Sequence, residues 1–141
     1  MSLFKKVMSD NNCKYTSVLL IDDDIDDRMI FGEVLRELAP DISYHEAING
    51  EDALIKLNQN LRPDLIFVDL NMPRIDGKQF LAEIQQLEHL KHIPVIIYTT
   101  SSHEADKKET RALGASYFLT KPNSLHELTS ILTEILQQKL F

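Results

Sequence analysis

The chain has 141 residues, 43% of them hydrophobic, and its 22 acidic against 15 basic side chains give a formal charge of −7. That length fits one domain with one core. The acidic balance argues against a nucleic-acid binder and against docking on an anionic membrane.

In chain order, residues 1–15 read as a polar N-terminal extension without the apolar stretch of a signal peptide. Cys13 is the sole cysteine, so an intrachain disulfide is excluded and a reducing, cytoplasmic setting is expected. A compact apolar run at 18–21 predicts the first strand. It ends in Asp22-Asp23-Asp24-Ile25-Asp26-Asp27, which holds five of the acids and leaves 17 acids and 15 bases elsewhere. Helical spacing follows over 29–38, then a weaker strand at 42–47. A helix over 51–60 has acids in its first turn, where the helix dipole favours them. The run at 65–68 predicts a strand that ends at Asp69. A helix over 78–90 comes next, then a strand at 95–98 that ends in Thr99-Thr100. A helix over 104–113 stops at Gly114. A strand at 117–119 leads to Lys121-Pro122, and 125–138 carries one apolar stripe of a last helix. No apolar run approaches the ~20 residues of a membrane span. His45, His89, His92, His103 and His126 lack metal-ligand spacing and read as surface residues.

Short apolar runs alternating with helices predict an α/β fold. It is a doubly wound, five-stranded parallel sheet with right-handed crossovers and five flanking helices. In such sheets ligands bind outside the carboxyl ends of the strands. Those ends deliver Asp22 and Asp23, Asp69, Thr99 and Lys121. Singly, each has an ordinary reading. The acidic run can be a capped helix start, Asp69 a turn residue, Thr99 a cap and Lys121 an exposed charge. Together they are the parts of a phosphoryl-transfer site. Clustered carboxylates repel one another, and a hard cation such as Mg²⁺ relieves that conflict. A lysine and a hydroxyl offer donors to phosphoryl oxygens, and one aspartate can act as nucleophile. Pro73 fixes the loop after the third strand, and Gly77 suits a positive φ before the next helix.

Four segments carry a resemblance. They are Val18-Leu19-Leu20-Ile21-Asp22-Asp23-Asp24, Leu65-Ile66-Phe67-Val68-Asp69-Leu70-Asn71-Met72-Pro73-Arg74-Ile75-Asp76-Gly77, Pro94-Val95-Ile96-Ile97-Tyr98-Thr99-Thr100 and Gly114-Ala115-Ser116-Tyr117-Phe118-Leu119-Thr120-Lys121-Pro122. The sequence resembles a two-component response regulator receiver domain, the fold of the bacterial chemotaxis regulator, over residues 16–138. The resemblance implies a flavodoxin-like sheet of order 2-1-3-4-5, with residues 16–141 as the receiver domain.

It further implies that Asp69 is the phosphoacceptor, served by a sensor histidine kinase or a phosphotransfer protein. Asp23 would bind Mg²⁺ directly, Asp22 would assist through water, and Asn71 would offer its backbone carbonyl. Lys121, Thr99 and the Thr100 amide would contact the phosphoryl oxygens. Lys121-Pro122 would be a cis peptide. Phe118 stands where the family often carries a tyrosine, so an aromatic switch beside Thr99 is expected without its hydroxyl, and Asn123 replaces a frequent aromatic.

The chain stops soon after the last helix, which suggests a stand-alone switch or relay intermediate. Such a switch catalyses its own phosphorylation and dephosphorylation and signals to a downstream protein. A homodimer through the face of the fourth helix, fifth strand and fifth helix is a further expectation. Two other classes compete. One is a Mg²⁺-dependent phosphatase-like hydrolase with an aspartate nucleophile, which usually has a second acid where Asn71 stands. The other is a flavodoxin-like cofactor binder, whose phosphate loop the five acids would oppose.

Overall fold

Continuous apolar runs form the strands, because a strand covered by helices on both faces has no side that must be polar. The computed structural model describes residues 13–137. Its elements alternate: β1 (Ser17–Ile21), α1 (Ile25–Leu38), β2 (Ser43–Ala47), α2 (Gly50–Asn58), β3 (Leu65–Val68), α3 (Gly77–Gln85), β4 (Val95–Thr99), α4 (Glu104–Ala112), β5 (Tyr117–Thr120) and α5 (Leu125–Leu136). All neighbouring strands pair in parallel, in the expected order β2-β1-β3-β4-β5.

The period of two along each strand divides the interior into two layers. Val18, Leu20, Phe67, Ile96 and Tyr98 point to one face. There they meet Phe31 and Leu35 of α1 and Leu128, Leu132 and Ile135 of α5. Leu19, Ile21, Ile66, Val68 and Ile97 point to the other, against Ala53 and Leu57 of α2 and Phe80, Leu81 and Ile84 of α3. The rings in the first layer interlock edge to face, with Phe31 4.9 Å from Phe67 and 5.4 Å from Tyr98. Tyr15 is also buried in this layer, and Lys14 N donates to Leu136 O at 2.8 Å.

Helix ends depart from the periodicity for local reasons. α1 begins at Ile25 rather than Met29, because Asp24 accepts from the amides of Asp26 and Asp27 and so caps it a turn earlier. The apolar pattern missed that turn because residues 25–28 carry a single apolar side chain, Ile25, and it is exposed. α2 ends at Asn58 ahead of Asn60, which lies at φ 77°. α3 ends at Gln85, five residues short of expectation. Leu87 and Leu90 continue in tight turns, and Leu90 is still buried. Gly114 closes α4 at φ 108°, as a C-terminal glycine should. The predicted end of the last helix at 138 and residues 1–12 of the extension lie outside the described residues. Among the described residues no helix is long and apolar enough to cross a membrane. Four of the five histidines are exposed, and His45 is half-buried in edge strand β2.

Candidate functional site

The carboxyl ends of β1, β3, β4 and β5 meet at one edge of the sheet. Asp22 and Asp23 leave β1 beside Asp69, which leaves β3, and Asp69 N donates to Ile21 O at 3.0 Å. One carboxylate oxygen from each of Asp22, Asp23 and Asp69 lies within 4.8 Å of the others. Their exposures differ. Asp22 is fully buried, Asp69 is nearly so, and Asp23 is open to solvent.

Lys121 reaches into this group from the end of β5. Its Nζ lies 2.8 Å from Asp22 Oδ2, 2.8 Å from Asp27 Oδ2 and 3.3 Å from Asp69 Oδ2. It also sits 5.5 Å above the Tyr98 ring. Burial opposes the lysine's charge, but the three carboxylates outweigh it and hold the ammonium well above the usual lysine range. Burial pushes the Asp22 carboxyl up, against the pull of Lys121. Asp22 Oδ1 accepts from Asp24 N at 3.0 Å. Asp22 Oδ2 is buried without an aligned hydrogen bond, although the ammonium is close.

Three carboxylates therefore face one ammonium, and Asp23 adds a fourth carboxylate beside Asp22 and Asp69. A hard divalent cation bound by oxygen ligands is what such a donor set fits, and the incompletely satisfied Asp22 oxygen agrees. Asn71 is exposed at the mouth, with its amide 3.4 Å from Asp69 Oδ1.

Thr99 is buried at the end of β4. Its carbonyl accepts from Lys121 N at 2.7 Å, and its hydroxyl oxygen is 3.5 Å from Ser101 N. Thr100 follows on the surface. Phe118 lies apart from the carboxylates. It packs half-buried in the second core layer beneath α4, 5.9 Å from Lys107 Nζ.

Two local expectations are corrected. Among the described residues no peptide is cis, so Lys121-Pro122 is trans, the form favoured by about 0.5–1 kcal/mol for an X-Pro bond. Gly77 does not have a positive φ; Arg74 takes that conformation in the loop, at φ 66°. Gly77 is needed for space instead. A Cβ there would overlap the Asp69 carbonyl oxygen and lie 2.8 Å from Leu70 Cα. Asp27, read from sequence as part of a helix start only, is a direct partner of Lys121. Its signal was its membership of the acidic run, but the contact depends on where α1 sits beside α5.

Comparison with known proteins agrees with this architecture. The family model described as response regulator receiver domain matches residues 18–133. Response regulator Rcp1 of Synechocystis is 36% identical over 130 residues, covering 86% of each chain. Among solved structures, the phosphorylated cyanobacterial phytochrome response regulator RcpA superimposes with a TM-score of 0.81 at 31% identity, over 89% of this chain and 94% of its own. The Mn²⁺-bound form of Rcp1 gives a TM-score of 0.77 at 36% identity, over 85% of this chain and 91% of its own.

Proposed function

Because the chain belongs to the response regulator receiver domain family and so serves two-component phosphorelay signalling, we propose that Asp69 is its phosphoacceptor. The observation that carries the reading is the convergence of Asp69, Asp22, Asp23 and Lys121 at one sheet edge. Asp23 would hold Mg²⁺ with Asp22 assisting, together with Asp69 and the Asn71 carbonyl. The exposure of Asp23 and the prior commitment of Asp22 to Lys121 support that division. When bound, the metal supplies positive charge that offsets the carboxylates and the incoming phosphoryl oxygens. A carboxylate oxygen of Asp69 attacks phosphorus. The new phosphorus–oxygen bond forms as the phosphorus–nitrogen bond of a phosphohistidine breaks, and the imidazole leaves with the electron pair. Lys121 turns from Asp69 to the transferred phosphoryl group. The Thr99 hydroxyl and the Thr100 amide donate to its oxygens. Phe118 follows Thr99 as the aromatic part of the switch. The chain is a signalling switch in the cytoplasm rather than a metabolic enzyme.

The phosphodonor is a histidine kinase or phosphotransfer protein, and its histidine must come within bonding distance of Asp69. Exposed Ile25, Met29 and Ile30 of α1 and Leu125 of α5 offer it an apolar footing beside the site. Ile30 and Leu125 line the same small cavity as Lys121.

Intact-mass measurement after incubation with acetyl phosphate and Mg²⁺ tests the assignment. Wild type is expected to gain one phosphoryl group and Asp69→Asn none. Equal uptake by both would sink it.

A further inference from the structure

α4 is weakly anchored by apolar packing. Of its nine residues only Thr110 is buried, and the Thr110 hydroxyl donates within its own helix, to Asp106 O at 2.8 Å. Polar ties hold the helix instead. Lys78, in the first turn of α3, places Nζ 2.8 Å from Asp106 Oδ1 and 2.7 Å from Glu109 Oε2. The second Asp106 oxygen accepts from Ser101 Oγ at 2.6 Å. These two bonds keep the Asp106 carboxyl below the usual carboxylate range.

Ser101 stands in the β4–α4 loop, two residues past Thr99. Its amide faces Thr99 Oγ1 at 3.5 Å, and its carbonyl accepts from Thr120 Oγ1 at 3.0 Å. At the other end, Lys78 follows Gly77, whose backbone is pressed against that of Asp69. A continuous chain of contacts thus runs from the Asp69 backbone through Lys78, Asp106 and Ser101 to the Thr99 hydroxyl.

We propose that Lys78, Asp106 and Ser101 form a latch that holds α4 and the β4–α4 loop in the resting arrangement. The latch sets how readily Thr99 leaves Ser101 for a phosphoryl group on Asp69. The inference rests on the reading of Asp69 as phosphoacceptor. The 3.5 Å contact at Thr99 is too long to restrain the hydroxyl by itself. Ser101 is fixed by its short bond to Asp106, and Asp106 by Lys78. Lys78 and Asp106 are about a quarter to a third exposed, so the pair contributes little to global stability. A small energy is nonetheless enough to tilt two conformations that share the same core. The three side chains are positioning residues, since none touches the reacting atoms.

Asp106→Asn and Lys78→Met break the ion pair, and Ser101→Ala cuts the link to the loop while leaving the pair intact. Each would be compared with wild type for affinity to beryllofluoride with Mg²⁺, for initial phosphate uptake from acetyl phosphate, and for melting temperature. All three variants are expected to bind beryllofluoride more tightly and to take up phosphate faster, by about 3- to 30-fold. Their melting temperatures should stay near that of wild type. Lys78→Arg can rebuild both ion pairs and should return both readings towards wild type. Wild-type affinity and rate in Ser101→Ala and Asp106→Asn would overturn the latch alone. A wild-type protein that takes up no phosphate and binds no beryllofluoride would overturn the Asp69 reading and the latch with it.

Discussion

A methyl group at position 77 would have to share space with the Asp69 carbonyl oxygen, and what it meets is backbone rather than the end of a flexible side chain. The strain cannot be relieved without moving the β3–α3 loop, which carries the proposed phosphoacceptor. Gly77→Ala is therefore expected to cost about 1–3 kcal/mol, read from the urea midpoint, and to slow phosphate uptake. Unchanged stability would mean that the loop gives more easily than its packing suggests. The same neighbourhood shows what a sequence can say about a site. Asp22, Asp69 and Lys121 each follow an apolar strand, so the fold class alone gathers them, and they meet in the structure. Asp27 and Tyr98 touch Lys121 through helix placement and strand facing, which linear spacing does not encode. Ser101 and Asp106 were hidden for another reason. Ser101 bonds Asp106, and Asp106 bonds Lys78, which lies 28 residues earlier on another helix.

At the level of elements, strands were easier to read than helix ends. A strand buried on both faces announces itself as an unbroken apolar run. A helix end is decided by one or two side-chain bonds, as Asp24 decides the start of α1. α1 also departs from amphipathic spacing over its first two turns. Ile25, Met29 and Ile30 are exposed, in breach of the one-sided pattern of a surface helix. Apolar side chains kept in water beside a charged site suit a surface that another protein covers. Ile30→Asp is expected to leave uptake from acetyl phosphate unchanged, because a small donor needs no docking surface. Transfer from a phosphorylated phosphotransfer protein should slow by about tenfold, the loss of one apolar anchor worth ~1.4 kcal/mol. Equal slowing with both donors would place the effect in the site and not in docking.

Across the whole molecule, the charge of −7 is local in origin and in consequence. Of the five acids at 22–27, Asp24 caps α1 and Asp26 sits in its first turn, where the helix dipole offsets a negative charge. Asp22, Asp23 and Asp27 turn towards Asp69 and Lys121, so the excess converges on the site. Folding brings these carboxylates together and pays for their repulsion with one ammonium. A cation that binds only the gathered carboxylates must then stabilise the folded state by mass action. At Mg²⁺ about tenfold above its dissociation constant the gain is about 1.4 kcal/mol, or a rise of a few degrees in melting temperature for a chain of this size. Wild type should show that rise in Mg²⁺ and not in an equal ionic strength of Na⁺, which screens charge without occupying the site. Asp23→Ala removes the most accessible of the three carboxylates and should lose most of the Mg²⁺-specific rise. It should melt no lower than wild type without metal, since one repelling charge has gone. A rise that survives in Asp23→Ala would assign the metal to other oxygens. A rise matched by Na⁺ would reduce the effect to general screening of an acidic surface.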